Sequence, residues 1–511
     1  MRKEYVIGID IGTSGCKTLI IDQQGRIAAR ALEEYPLSTP HPGWSEQEPE
    51  HWWQAVKATL GKALKGFEHP EAIKGIGLSG QMHGLVALDK EGKVLRPAIL
   101  WNDQRTGKQC REIHDAVGGV EGLLKLTNNR MLPGYTGGKI FWVRENEPHL
   151  YDKFQVILNP KDYIRYRLTG ELATEVSDAS GTGLFDVRKR EWSYILLDQL
   201  HIPKEWVPRC YESPEISGKL KGRLASELGL SKGLPVAGGG GDAVIQTTGT
   251  GLVKPGIVGT TIGTAGIVAM ALDSCKDNPE GKLQVFCNNM PDKWHTMGVT
   301  LAAGGSLRWI RDTLCASEKE VARWMGVDVY ELLGVEASKA EPGSEGLFFL
   351  PYLIGERCPH ADPHARGGFL GLTLRHDRRD ILRSVFESVI YSLRDVVELI
   401  REMGYDLTQV RTSGGGALSP LWRQIHADVF NSEVITVSGS SEGGAYGAAL
   451  VAGAGVGLWK DVEEAVGVLE AETKEVPIAE NVALYDRLFP IYRDFYGALK
   501  GSFDRISEIY S

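Results

Sequence analysis

The chain has 511 residues, too many for one compact core, so two large domains or more are expected. Its 57 Lys+Arg and 66 Asp+Glu give a formal net charge of −9, and 42% of its residues are hydrophobic, as in an ordinary soluble globular protein. A mildly acidic chain without a Lys/Arg run speaks against nucleic acid or a membrane as the main partner, though backbone amides and a cation could still hold a phosphorylated ligand.

The opening apolar run is cut by Asp10, which fits a strand over 5–10 and not a signal peptide. A tight turn over 12–15 leads to a second strand at 17–22, and Gln23-Gln24-Gly25-Arg26 reads as a hairpin into a third at 27–31. Trp53, Val56 and Leu60 give 50–64 helical periodicity, and strands follow at 73–79 and 156–158. Strands mixed with helices at this spacing indicate an α/β architecture. Ile11-Gly12-Thr13-Ser14-Gly15 returns as Ile262-Gly263-Thr264-Ala265-Gly266, half a chain later, which suggests two duplicated domains, 1–248 and 249–511. The second half carries a long helix over 377–403, apolar at Ile381, Val385, Val389, Leu393, Val396 and Ile400, with Gly404 as its C-terminal cap. The seven cysteines are scattered without a C-x-x-C pair, so neither a disulfide framework nor a zinc site is expected. The longest weakly polar stretch, 259–272, is shorter than the ~20 residues that span a bilayer, and a cytoplasmic location is expected.

Four segments could carry chemistry. In Asp10-Ile11-Gly12-Thr13-Ser14-Gly15, the glycines allow a sharp bend, Thr13 and Ser14 offer hydroxyls beside free amides, and Asp10 could position Mg²⁺ through water. The same residues could equally form a plain hairpin with a surface aspartate. Neither a G-x-x-x-x-G-K-[ST] loop nor a G-x-G-x-x-G after the first strand is present. In Gly238-Gly239-Gly240-Gly241-Asp242, four glycines clear room for a substrate to reach a carboxylate able to accept a hydroxyl proton, although an Asp after glycines is commonly a turn residue. Gly414-Gly415-Gly416-Ala417, between a strand at 409–412 and a helix from Pro420, would let a flat base lie on the backbone, or could equally be a loop that needs glycine only to turn. Gln81, Met82 and His83, after the strand at 73–79, with Trp101 and Asp103 further on, could bind sugar hydroxyls, or could be core and surface polar groups. The small-residue run 443–449 reads as a close-packed, structural helix.

Taken in order, Gly8-Ile9-Asp10-Ile11-Gly12-Thr13-Ser14, Trp44-Ser45-Glu46-Gln47, Gly80-Gln81-Met82-His83-Gly84, Arg96-Pro97-Ala98-Ile99-Leu100-Trp101-Asn102-Asp103, Gly240-Gly241-Asp242, Gly355-Glu356-Arg357 and Gly414-Gly415-Gly416-Ala417 resemble the FGGY carbohydrate kinases over essentially the full length. The Gln-Met-His-Gly stretch is similar to the xylulokinase branch. The resemblance implies two actin-like (ribonuclease H-like) domains with an interdomain cleft, sugar on the N-terminal side and nucleotide on the C-terminal side. It implies ATP-dependent phosphorylation of a ketopentose such as D-xylulose, with ATP and Mg²⁺, and a homodimer is common among such kinases. Asp242 would be the catalytic base and Asp10 would lie near the metal and the transferred phosphate. Met82 and His83 would contact the sugar, and Gly12, Thr13, Ser14, Gly263, Thr264, Gly304, Arg308, Gly415, Gly416 and Ala417 would line the nucleotide. The chain departs from the pattern at Ala243, where many xylulokinases carry asparagine, which opens the choice of sugar to ribulose, L-xylulose or erythritol. A non-catalytic actin-like protein or sugar sensor would need neither the Gly241-Asp242 pair nor the Gln-Met-His-Gly stretch.

Overall fold

In the computed structural model, which describes residues 3–510, the apolar residues near the start form β1 (Tyr5–Ile11), buried on both faces in the middle of a sheet. On one side lie antiparallel β2 (Gly15–Asp22) and β3 (Ile27–Glu34). On the other, β4 (Ile73–Gly80) runs parallel to β1, followed outward by β6 (Pro235–Ala237) and antiparallel β5 (Ile216–Lys219). A two-residue strand, β7 (Gly240–Gly241), pairs with the end of β4 at Ser79 and Gly80. Helix α1 (Pro49–Leu64) covers β2 and β3 through Trp52, Trp53, Val56 and Leu60. The same half carries α2 (Thr136–Asn146), α3 (Pro160–Thr169), α4 (Val176–Ser180) and α5 (Asp242–Gly249).

The second half repeats this plan. β8 (Ile257–Ile262) pairs antiparallel with β9 (Gly266–Leu272), and β10 (Gln284–Cys287) and β11 (Trp294–Thr300) extend that side in the order β9-β11-β10. On the other side lie parallel β12 (Gln409–Ser413) and β13 (Glu433–Val437), then antiparallel β14 (Ala471–Glu475). The recurring Ile-Gly-Thr segment sits at the β1–β2 turn in one sheet and at the β8–β9 turn in the other, so the sequence repeat marks a structural duplication. Helix α6 (Gly304–Leu314) follows β11. Helix α7 (Arg378–Glu402) starts on a capping box of Asp377 and Asp380, ends before Gly404 at φ 86°, and buries Val385, Val389, Leu393, Val396 and Ile400.

The small-residue run forms α8 (Gly444–Gly455), but its partner is the N-terminal sheet. It lies on β1 and β4 so closely that a Cβ on Gly8 would stand 1.9 Å from Ala445 O, and one on Gly77 1.9 Å from Ala448 O. Helix α5 packs beside it, with a Cβ on Gly447 falling 2.0 Å from Ile245 O. Ile245 and α8 thus share a core with Val6, Leu19 and Ile21, which ties the two halves together.

Candidate active site

The parallel register of β1 and β4 sets Asp10 opposite Ser79, and Ser79 Oγ donates to Asp10 Oδ1 at 2.6 Å. Gly444 opens α8 directly above them: a Cβ there would lie 2.3 Å from Ser79 Oγ and 2.8 Å from Asp10 Oδ1. The Asp10 carboxylate therefore faces a helix N-terminus, where the dipole favours negative charge. Burial nevertheless raises its pKa, against the pull of Ser79 and Lys17.

Asp242 begins α5, and its Oδ1 accepts Met82 N at 3.3 Å and Ala243 N at 2.8 Å. Burial, and then the charge of Asp10, push its carboxyl up to about 7, which sets it as a base able to gain and lose a proton near neutrality. The glycines before it do not clear room for a ligand, as the sequence suggested. A Cβ on Gly239 (φ 71°) would meet Leu78 O at 2.0 Å and one on Gly241 would meet Met82 Cγ at 2.5 Å, so they let β7 press against β4 and deliver Asp242 beside Met82.

Met82 and His83 share a wall with Asp242. The His83 imidazole stacks on Tyr135 with ring centroids 4.6 Å apart, and its Nδ1 lies 2.5 Å from Gly181 O. Burial drops its pKa to about 3, so the ring is neutral, with Nδ1–H donating and Nε2 free to accept from a hydroxyl. Trp101 is 42% exposed and donates through Nε1 to Thr13 Oγ1 at 2.8 Å. Gln81 and Asp103, expected to meet sugar, are fully buried and committed internally. Gln81 Nε2 donates to Gln47 Oε1 (2.9 Å) while Gln81 Oε1 accepts from Thr13 Oγ1 (3.3 Å). Asp103 accepts from Ser45 N at 2.6 Å and holds Arg105 through Nε and Nη2. Both brace the walls of the site instead of lining its open surface.

Gly12, Thr13 and Ser14 form the β1–β2 turn, closed by Gly12 N to Gly15 O at 3.0 Å. Gly263 and Thr264 occupy the matching β8–β9 turn, and there the other nucleotide candidates converge. Gly304 N donates to Gly263 O (2.8 Å), Gly305 N to Thr264 O (3.0 Å) and Arg308 Nη2 to Thr264 Oγ1 (3.2 Å). Gly414 and Gly416 press against Ile262, where Cβ atoms would approach to 2.7 and 2.5 Å, while a Cβ on Gly415 would meet nothing. Ala417 follows in the same short turn. Three turns from distant segments thus meet at the ends of β8 and β12, the edge at which open α/β sheets bind ligands.

Sequence reasoning missed several supports. Ser79 and the N-terminus of α8 are set by pairing and packing. Beneath Gly238–Asp242 lies a fully buried charged cluster: Lys161 Nζ to Asp162 Oδ1 at 2.6 Å and Asp178 Oδ2 at 3.4 Å, with Glu175 and Arg165 beside them. Arg165 Nη2 reaches Gly238 O at 2.5 Å, and Ser177 Oγ accepts Gly241 N at 3.0 Å. Lys139 is equally buried. In sequence these residues look like surface charges.

Two family models cover this arrangement: the N-terminal domain of the FGGY family of carbohydrate kinases matches residues 5–249, and the C-terminal domain of that family matches 258–456. The chain belongs to the FGGY carbohydrate kinases. It is 39% identical to a xylulose kinase of Bacillus subtilis (strain 168) over 96% of this chain and 97% of that protein, and 32% identical to a gluconokinase of the same organism over 99% and 98%. A solved xylulose kinase structure from Rhodospirillum rubrum superposes with a TM-score of 0.91 at 30% identity, covering 98% of this chain and 100% of the other. As an FGGY kinase the protein is an ATP-using enzyme of carbohydrates with the two-domain actin-like fold. Among the described residues no helix is long and apolar enough to cross a membrane.

The site also fits a divalent cation. Asp10 supplies a hard oxygen donor, close enough for its charge to act on Asp242, and no group of three or more His, Cys, Asp or Glu among the described residues could hold an ion by itself. That donor set suits Mg²⁺ shared with nucleotide phosphates and water.

Proposed function

We propose that this FGGY kinase transfers the γ-phosphoryl group of ATP to the terminal hydroxyl of a ketopentose, D-xylulose giving D-xylulose 5-phosphate. The observation that carries the chemistry is Asp242: a carboxyl poised at about 7, aimed by two backbone amides beside Met82 and His83. The xylulose kinase relative, similar across nearly the whole of both chains, supports the choice of sugar.

In this reading residues 1–248 hold the sugar and 249–511 the nucleotide. His83 Nε2 accepts a hydroxyl of the sugar, Met82 packs against its carbon face, and Trp101 walls the mouth. The nucleotide lies along the Gly263-Thr264, Gly304–Arg308 and Gly415–Ala417 turns, with Gly12, Thr13 and Ser14 at its phosphate end. Asp242 takes the proton from the attacking hydroxyl, so the nucleophile gains charge only as it meets phosphorus. Asp10 would face the transferred group and hold the metal, and its charge keeps Asp242 basic. Mg²⁺, when bound, supplies charge neutralisation on the phosphate oxygens. The turns provide positioning and amide dipoles, which is most of what phosphoryl transfer asks of a protein, so no P-loop lysine is needed.

A second reading is a sugar-acid kinase. The gluconokinase relative supports it, and so does Arg357, an exposed cation from the second half whose charge reaches His83 and Tyr135. Ala243 leaves the place beside the base without the amide that many xylulokinases carry. Comparing kcat/KM for D-xylulose and D-gluconate separates the two readings: a preference for gluconate abolished in Arg357→Ala would replace the ketopentose assignment.

A further inference from the structure

His83 is one of the few non-glycine residues among those described with a left-handed backbone, at φ 69°, a strained conformation that persists only where its surroundings hold it. What holds it is the segment at the start of α2. Tyr135 stacks on the imidazole, Thr136 Oγ1 donates to His83 O at 3.0 Å, and Lys139 Nζ donates to the same carbonyl at 2.6 Å while also bonding Gly134 O at 2.6 Å. Lys139 is fully buried, and the charges that reach it, Asp103 and Arg105, are bonded to each other. A buried ammonium satisfied only by main-chain carbonyls is costly, and a methionine of similar volume would fill the space without that cost. The ammonium does what no apolar side chain can: it fastens the carbonyl of His83 to the backbone that introduces α2.

We infer that Lys139 is a positioning residue for sugar recognition, its ammonium clamping His83 O and Gly134 O so that the strained His83 backbone presents its imidazole to the substrate. The inference rests on the sugar-side role proposed above for His83, and it adds the element that fixes that role in space. Burial brings Lys139 down to about 7, and in either protonation state its nitrogen keeps an N–H for each of the two carbonyls.

A double-mutant cycle tests it, using His83→Gly, which removes the imidazole yet adopts left-handed backbone freely. Lys139→Met is expected to raise the sugar KM about tenfold, with kcat and the ATP KM within about twofold, and to change the sugar KM less than about twofold in the His83→Gly background. Equal factors in the two backgrounds, or an unchanged sugar KM in Lys139→Met, would overturn the inference and leave Lys139 a purely structural cation. If Lys139→Met does not fold, Thr136→Val takes its place in the cycle. It removes only the second donor to His83 O, should raise the sugar KM about threefold in the wild-type background alone, and refutes the clamp if it is silent or additive. The two levels fail distinguishably. A His83→Gly enzyme with wild-type sugar KM removes the sugar-side reading itself, whereas an affected His83→Gly with a silent Lys139→Met removes only the clamp.

Discussion

Replacing Asp242 by Asn keeps the side chain's shape and its Oδ1, so the bonds from Met82 N and Ala243 N can persist, and removes only the capacity to accept a proton. Loss of a general base costs typically ~10²–10⁴-fold, so kcat should fall at least about a hundredfold with both KM values within a few fold. The pH profile gives a second reading. With the carboxyl at about 7, roughly a tenth of it is ionised at pH 6 and nine tenths at pH 8, so wild-type kcat/KM should rise about tenfold across that span. In Asp242→Asn the residual rate should be flat. The stability effect has the opposite sense to a salt-bridged aspartate. Here the folded carboxyl sits above its ordinary 3.8, so the native state holds a proton that the unfolded chain has lost, and stability declines as pH rises from about 4 to about 7. Asp242→Asn should therefore match wild type in urea melts near pH 4 and exceed it at pH 8. An enzyme retaining more than a tenth of its turnover, or a wild-type profile flat from pH 6 to 8, would refute the assignment of the base.

Gly77→Ala forces a Cβ to within 1.9 Å of Ala448 O, and overpacking of this kind should cost about 1–3 kcal/mol in urea unfolding and lower kcat as α8 lifts away from Asp10. Lys161→Met leaves Asp162, Glu175 and Asp178 buried with Arg165 alone, and a loss of about 3–5 kcal/mol is expected from the same melts. Arg308→Ala frees Thr264 Oγ1 and should raise the ATP KM about three- to tenfold with the sugar KM unchanged, measured by initial rates at saturating sugar.

The architecture was legible where local pattern and global fold agree. The Val/Ile strands at either end of the duplicated Ile-Gly-Thr turn, the Trp53–Val56–Leu60 stripe of α1 and the Val385–Val389–Leu393–Val396 stripe of α7 all carry their burial in their spacing. Asp10 stood out in the sequence at the end of a strand before the Ile-Gly-Thr turn and Asp242 after four glycines, and the fold brings the charge of the first within reach of the second. What the glycines do was misread: those before Asp242 serve backbone contact with Leu78 and Met82, a tertiary fact that composition cannot express. Gln81 and Asp103 were assigned to the ligand because a polar side chain in sequence does not declare its partner, and here the partners are Gln47, Thr13, Ser45 and Arg105. Lys139 and Lys161 went unnoticed for the converse reason, since a buried lysine and a solvated one are the same letter. The crossing of α8 onto the N-terminal sheet, hundreds of residues from β1 in sequence, followed from no local signal at all.

The central claim is phosphoryl transfer from ATP to a ketopentose, and sugar-dependent ADP release with Mg·ATP tests it most directly. D-xylulose, D-ribulose, D-gluconate and glycerol would be compared on the wild type and Asp242→Asn. D-xylulose is expected to give the highest kcat/KM, and ADP release in Asp242→Asn to fall to the sugar-free background. A higher kcat/KM for gluconate or another acceptor would contradict the sugar assignment, and ADP release that no sugar stimulates would contradict the transfer itself.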